Sequence, residues 1–356
     1  MFVLDSHCDT PSQIYRLRDL SLDNDHAHVD FPKLKRGNVD GAFFALYIPA
    51  HLDADPVRAF GYADDLLKGV ERSVAENSRL AAFACSYAEA LKNKADGKFS
   101  VFIGLENGSP LGDSIDCLDY FYDKGIRYVT LCHSSDNQIC DSCASAVKRW
   151  GGLSPFGKEV VRKMNSLGML VDVSHVSDDT FYDVLECSAC PVVATHSCCR
   201  ALSNHPRNMT DDMIRALAQA GGVIQINFYP LFLDAGFADI LSISGLVDMG
   251  ESVEKEFIAD PSDTMKRKAW YQVQDEIMAL PRPSYKLIAD HIDHVVELVG
   301  IDYVGIGSDF DGIAVTPQGM DDVSQISILF EELRHRGYSE SDIEKVAGLN
   351  FFRILG

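Results

Sequence analysis

The 356-residue sequence has no stretch approaching the roughly 20 consecutive apolar residues that cross a bilayer; its best run, Ala42 to Ala50, falls far short. Its start, Met-Phe-Val-Leu-Asp-Ser-His, has no basic region, long apolar segment or small-residue cleavage site, so nothing there addresses the chain for export and a cytoplasmic location is expected. Basic side chains are scarce beside acidic ones, 32 against 53, for a formal net charge of −21. That surplus repels phosphate backbones and anionic lipid, which argues against nucleic-acid and membrane partners. No low-complexity tract, short repeat or linker divides the sequence, so residues 1–356 are expected to form one domain, as α/β barrels of this length do. Ten cysteines in a chain this long are not the framework of a small disulfide-stapled domain, and reduced thiols are expected.

What is present is a run of apolar or β-branched residues, a polar turn and an amphipathic stretch, over and over. The strand candidates are Phe2–Asp5, Gly41–Ile48, Ser100–Leu105, Tyr128–Cys132, Met169–Val173, Pro191–Thr195, Gly222–Asn227 and Tyr303–Ser308. Most are continuously apolar, as parallel strands covered on both faces are. Helices are expected between them. Phe156, Val160, Val161, Met164 and Leu167 form one stripe that Gly168 can close, and Thr210 is a good N-cap for Asp211–Ala220. Ser284–Val299 reads as a long helix, and Ser339 with Asp342 as a capping box. Eight strands alternating with helices predict an α/β fold, a (β/α)8 TIM-type barrel with a long insertion, Phe228–Pro283, between strands seven and eight. A doubly wound sheet would show a Gly-rich phosphate loop after its first strand; here that strand runs into His-Cys-Asp.

Metal-ligand and acid/base residue types stand at the ends of six of these strands. They are His7 and Asp9 at the first, Glu106 at the third, His133 at the fourth, His175 at the fifth, His196 at the sixth and Asp309 at the eighth. In a barrel those ends converge on one mouth, where such enzymes keep their chemistry. His7 and Asp9, two apart in an extended segment, face the same way and suit one cation. His175 and His196 fall on neighbouring strands, and Glu106 has two oxygens with which to bridge two cations. Zinc would lower the pKa of a water held between such cations towards roughly 7. Spacing does not choose between Asp309 and Asp311, which alternation places on one face, and Arg207 reads as a solvated ion-pair partner unless an anion needs it. Cys140-Asp-Ser-Cys143 and Cys187-Ser-Ala-Cys190 read as reduced thiols rather than a zinc ribbon. Gly104, Gly305 and Gly307, inside strands, are expected to permit close packing.

Several segments together resemble the renal (membrane) dipeptidase family of binuclear zinc peptidases, in its soluble bacterial branch. They are Asp5-Ser-His-Cys-Asp-Thr-Pro11, Gly104-Leu-Glu-Asn-Gly108, Leu131-Cys-His-Ser134, Met164-Asn-Ser-Leu-Gly-Met-Leu-Val-Asp-Val-Ser-His175, Thr195-His-Ser197, His205-Pro-Arg-Asn208 and Gly305-Ile-Gly-Ser-Asp-Phe-Asp-Gly312. The resemblance implies a distorted barrel holding two Zn2+ per chain, one on His7 and Asp9, the other on His175 and His196, with Glu106 bridging. It further implies that His133 steadies the oxyanion, Arg207 holds the C-terminal carboxylate of a small dipeptide, some relatives accepting a D-residue there, and Asp309 shuttles the proton for a bridging hydroxide. Relatives are commonly homodimers. Tyr229, near the start of the insertion, is expected to line the pocket. Cys8 stands where many relatives have Asn. Two other readings are a different binuclear amidohydrolase or lactonase on the same barrel, and a catalytically silent metal binder.

Overall fold

Eight parallel strands follow one another around a barrel in the computed structural model, which describes residues 1–355, the side chains of Asp248 and Glu251 excepted. The strands are β1 (Leu4–Cys8), β2 (Gly41–Tyr47), β3 (Ala81–Phe83), β4 (Phe99–Glu106), β5 (Ile126–Thr130), β6 (Leu170–Asp172), β7 (Val193–Ser197), β8 (Val223–Ile226) and β9 (Val304–Ile306). They pair in the order β1-β2-β4-β5-β6-β7-β8-β9, all parallel, with β3 attached outside the circuit to β4. The barrel closes just past β9. There Cys8 bridges Phe310, the Asp9 amide donates to the Phe310 carbonyl (2.8 Å), and the Asp309 amide donates to the His7 carbonyl (3.0 Å). Register shifts interrupt β1/β2, β4/β5 and β7/β8. A TIM-type barrel with local distortions is the fold the alternation predicts.

Each expected strand is present, shifted by a few residues at its ends. β3 was not expected: Ala81-Ala82-Phe83 has no β-branched residue and three ladder pairs are its whole extent. The helices start and stop where capping chemistry says they should. Pro155–Leu167 is capped by the Ser154 side chain and ends on Gly168 at φ 74°, a left-handed position that glycine adopts without cost. Thr210 caps Asp211–Gln219, and Ser339 with Asp342 forms a reciprocal capping box. The helix expected from Ser284 begins at Lys286 and runs to Val299.

The insertion carries four helices, Pro230–Leu233, Phe237–Ser244, Leu246–Ala259 and Thr264–Met278. Phe237, Leu241, Val273, Ile277 and Val315 form a small core of their own. This layer leans on the segment that follows β1: Arg16 pairs with Glu254 at 2.8 Å and lies over Trp270, and His26 stacks on Tyr271 at 4.2 Å.

Glycine inside the strands is a packing device, as expected. A Cβ on Gly104 would lie 2.1 Å from the Tyr128 ring, so only glycine lets that fully buried ring cross the barrel. Among the described residues no helix is long and apolar enough to cross a membrane.

Candidate metal centre and active site

The strand ends deliver their side chains to one place because the backbone turns sharply there. Asn107, directly after Glu106, has φ 77°; His175 has φ 73°; Asp309 and Asp311 have φ 64° and 66°. A non-glycine residue in this region is strained by about 1–2 kcal/mol. The surroundings hold each one. The Asn107 side chain donates to the Ile48 carbonyl and to Asp53, and the His175 carbonyl accepts from the Cys143 amide at 2.8 Å.

Glu106 sits at the centre, buried. Its Oε2 is 3.4 Å from His7 Nε2; its Oε1 is 3.2 Å from His175 Nε2, 3.5 Å from His196 Nε2 and 3.9 Å from His133 Nε2. His175 and His196 bring their Nε2 atoms to 2.9 Å of each other, and His7 Nε2 is 3.6 Å from Asp9 Oδ2. Three overlapping groups have all their donor atoms within 4.8 Å of one another: His7, Glu106 and His196; Glu106, His133 and His175; His7, Asp9 and Asp309. All five sequence-derived ligand candidates are therefore brought together, and His133 and Asp309 join them. The sets merge into one another rather than dividing into two isolated triads.

Three carboxylates facing four imidazoles in a buried pocket leave negative charge in want of a cation. Burial pushes the His7 imidazole down, but Glu106 and Asp9 outweigh it and hold it well above 6.5. In the metal-free protein a proton thus stands where positive charge is needed. His7 Nε2 and Asp9 Oδ1 are buried without hydrogen-bond partners, a cost that coordination would remove. Burial and the charge of Glu106 push Asp9 up to about 6. His175 and His196 are held well below 6.5, by burial first and then by Arg207 and His7 respectively, so they are neutral and able to ligate. Imidazole and carboxylate oxygen fit zinc or a similar divalent cation.

Around this core lie the other expected residues. The His133 ring lies tilted against that of His175 (4.2 Å) and meets the edge of Tyr47 (4.8 Å); burial and Arg207 lower it to about 3, so its ring is neutral at pH 7. Arg207, 8% exposed, donates to the His196 carbonyl at 3.2 Å and lies over Phe232. Among the described residues no carboxylate pairs with it. Asp309 accepts from Asn227 Nδ2 at 2.8 Å, and burial together with Asp9 pushes it up to about 7. Asp311 does not share its surroundings, contrary to the alternation argument, because both residues leave the extended region. Asp311 instead pairs with Arg18 (2.6 Å) and accepts from Thr10 and the His28 amide. Burial alone would raise it, yet Arg18 and His28 leave it below the usual carboxylate value. Tyr229 packs against Phe232, half-buried; burial and nearby Asp309 push its phenol up to about 12.

Sequence reasoning missed Tyr47, Tyr128, Thr195 and Asp172. Tyr128 places its hydroxyl 2.9 Å from His7 Nδ1, and Thr195 Oγ1 is 2.8 Å from His196 Nδ1. Tyr47 ends β2, and its place at a strand end was the available signal. Tyr128 acts across the barrel and Asp172 from the neighbouring strand, which no spacing reveals; Thr195 stands next to His196 in the sequence, but its role shows only once Asp172 is placed beside it. All ten cysteines are free; Cys8 points away from the centre, towards the Phe43 carbonyl at 3.5 Å.

The family model described as "Membrane dipeptidase (Peptidase family M19)" matches residues 1–356. Dipeptidase verJ of Clonostachys rogersoniana is 32% identical over 340 residues, covering 92% of this chain and 75% of that protein. Dipeptidase aclJ of Aspergillus oryzae is 30% identical over 351 residues, covering 97% and 73%. Among solved structures, the probable dipeptidase PvdM from Pseudomonas aeruginosa superposes with a TM-score of 0.81 at 27% identity, over 100% of this chain and 95% of that one.

Proposed function

The chain belongs to the membrane dipeptidase family, peptidase family M19, and from that premise we propose that it hydrolyses dipeptides bearing a free C-terminal carboxylate, L-Xaa-D-Xaa among them, with two zinc ions. The observation that carries this reading is Glu106, whose two oxygens face separate imidazoles, His7 on one side and His175 with His196 on the other. His7, Asp9 and Glu106 would hold one cation, and Glu106, His175 and His196 the other. Bound there, the cations would supply Lewis-acid polarisation of the peptide carbonyl and a water made nucleophilic at neutral pH.

The remaining chemistry falls to the chain's own groups. Arg207 offers an unpaired guanidinium fork to the substrate's carboxylate, a bidentate geometry that fixes the peptide's far end. Neutral His133 donates a hydrogen bond to the carbonyl oxygen as it gains charge, and a fixed donor in a site shut off from water is worth more than one in solution. Asp309, near 7, is poised to take a proton from the attacking water and pass it to the leaving amine. Asn227 anchors the other face of that carboxylate. Tyr229 would wall the pocket on the Asp309 side. The reading takes residues 1–356 as one hydrolase unit, supported by a large apolar core that draws residues from Val3 to Ala347, and a cytoplasmic chain, supported by its unpaired thiols.

The test is metal analysis of purified protein together with a stereochemical dipeptide panel set beside a lactone and a phosphotriester. About two zinc ions per chain and turnover confined to dipeptides are expected. Turnover confined to the lactone or phosphotriester would overturn the substrate assignment, and a single ion at saturating zinc would overturn the binuclear one.

A further inference from the structure

Two of the imidazoles around Glu106, His7 and His196, differ in what stands behind them. His7 has the neutral phenol of Tyr128 at its Nδ1. His196 has a hydroxyl that is itself bound to a buried carboxylate: Thr195 Oγ1 lies 2.8 Å from His196 Nδ1 and 2.6 Å from Asp172 Oδ2. Asp172 lies at the end of β6, fully buried, one strand away from the ring it serves.

A proton inventory fixes the direction of each bond. Asp172 Oδ1 accepts from the backbone amides of Ser174 (3.0 Å) and Thr195 (2.9 Å), which can only donate. Its Oδ2 is met by two hydroxyls, Thr130 Oγ1 at 2.5 Å and Thr195 Oγ1 at 2.6 Å. A carboxylate has about four acceptor positions, and all are filled by donors. Thr195 has one hydroxyl proton, and it is spent on Asp172. The Thr195 oxygen therefore accepts from His196 Nδ1–H, which leaves the lone pair of His196 on Nε2, the atom that faces Glu106 and His175.

The geometry points to Asp172–Thr195–His196 as a positioning relay that fixes the His196 tautomer and strengthens its hold on a cation. Asp172 and Thr195 are positioning residues: neither reaches Glu106, and they act only through the ring of His196. Histidine ligands commonly donate their second N–H to a carboxylate or carbonyl; here a threonine hydroxyl relays the negative charge. Asp172 also has a structural role, since β6 and β7 share one registered pair, Asp172 with Val193, and its carboxylate ties down the amides beyond it. A role confined to that tie would need Oδ1 alone. The Oδ2 side serves hydroxyls, one of which goes on to the ring.

This inference rests on the reading that His196 faces a cation, and its test reads metal affinity, so that it does not depend on turnover. Thr195→Val keeps the shape and deletes the hydroxyl; Thr195→Ser restores the hydroxyl. Asp172→Asn keeps its volume, but its amide group would face the Thr195 oxygen, turn the hydroxyl proton towards His196 Nδ1 and place the ring proton on Nε2. Zinc competition against a chromophoric chelator, with circular dichroism to establish folding, is expected to show one of two ions held about 10–100-fold more weakly in T195V and D172N, with T195S close to wild type. Should T195V not fold, D172N carries the test by itself. Wild-type affinity for both ions in the folded variants, or equal weakening in T195S and T195V, would overturn the relay. A wild-type chain that holds no zinc overturns both the relay and the metal centre. A wild-type chain that holds two ions yet cleaves no dipeptide removes the substrate assignment and leaves the relay standing.

Discussion

Replacing Arg207 with methionine separates a residue kept for substrate from one kept for the fold. In the free protein the guanidinium is buried against a carbonyl oxygen and an aromatic face, with no carboxylate beside it among the described residues. Hydrogen bonds to charged groups are worth about 1.5–3 kcal/mol each. Two within one fork are not additive, so we take about 3–4 kcal/mol for the pair. That corresponds to a loss of about 10²–10³-fold in kcat/KM. The carboxylate is bound alike in the ground and transition states, so the loss should fall on KM, with kcat nearly unchanged. Stability should move differently. The variant forfeits a cation–π contact of about 0.5–1 kcal/mol and one hydrogen bond of about 1 kcal/mol, while relief of an unpaired buried charge offsets both. Urea unfolding of R207M is therefore expected to lie within about 1 kcal/mol of wild type. The kinetic assay pairs a dipeptide with its C-terminal amide: wild type should lose about as much on the amide as R207M loses on the acid, and R207M should not distinguish the two. Equal loss on acid and amide, or destabilisation beyond about 3 kcal/mol, would refute the carboxylate assignment.

Asp309→Asn retains the hydrogen bond from Asn227 and the volume but cannot take a proton; kcat should fall about 10²–10⁴-fold with zinc content unchanged, and undiminished turnover would remove Asp309 from the proton path. Gly104→Ala must displace the Tyr128 ring from under His7 and should cost about 1–3 kcal/mol, whereas Gly61→Ala, with open space in the helix Pro56–Glu76, should gain about 0.5–1 kcal/mol; thermal unfolding of both checks the pair, and similar shifts would contradict the packing account. His291 is buried, accepts from the Cys199 amide (3.0 Å) and meets the Leu233 carbonyl (3.2 Å), and burial lowers it to about 4. Its folded pKa lies below the unfolded value, so its contribution is complete above about pH 6.5 and is lost as pH falls towards 4; at about 1.36 kcal/mol per unit this is on the order of 3 kcal/mol. The stability difference between wild type and His291→Asn should therefore shrink over that window, and a constant difference would count against it.

Much of the architecture was legible because parallel strands covered on both faces betray themselves as unbroken apolar runs, and because Thr210 and Ser339 mark helix starts, and Gly168 a helix end, chemically. β3 escaped because Ala-Ala-Phe carries no such mark. The candidate ligands were legible for a different reason: a barrel sends every strand end to one mouth, so residue type plus position sufficed for His7, Asp9, Glu106, His175 and His196. Spacing could not separate Asp309 from Asp311, since the two-residue alternation presumes an extended backbone and both residues are left-handed. Nor could it find Tyr128, Thr195 or Asp172, whose meaning depends on which strand lies across from which.

The seam of the barrel carries a consequence for biogenesis. His7 and Asp9 come from the first strand and Asp309 from just beyond the ninth, and the bonds that join these strands run through the same residues: the Asp309 amide to the His7 carbonyl, the Asp9 amide to that of Phe310. A nascent chain emerging from the ribosome can stack its first eight strands and still present an open, half-built mouth. Closure of the cylinder and arrival of Asp309 are then one event: a chain halted before that point carries all five proposed ligands but lacks the group assigned to move the proton.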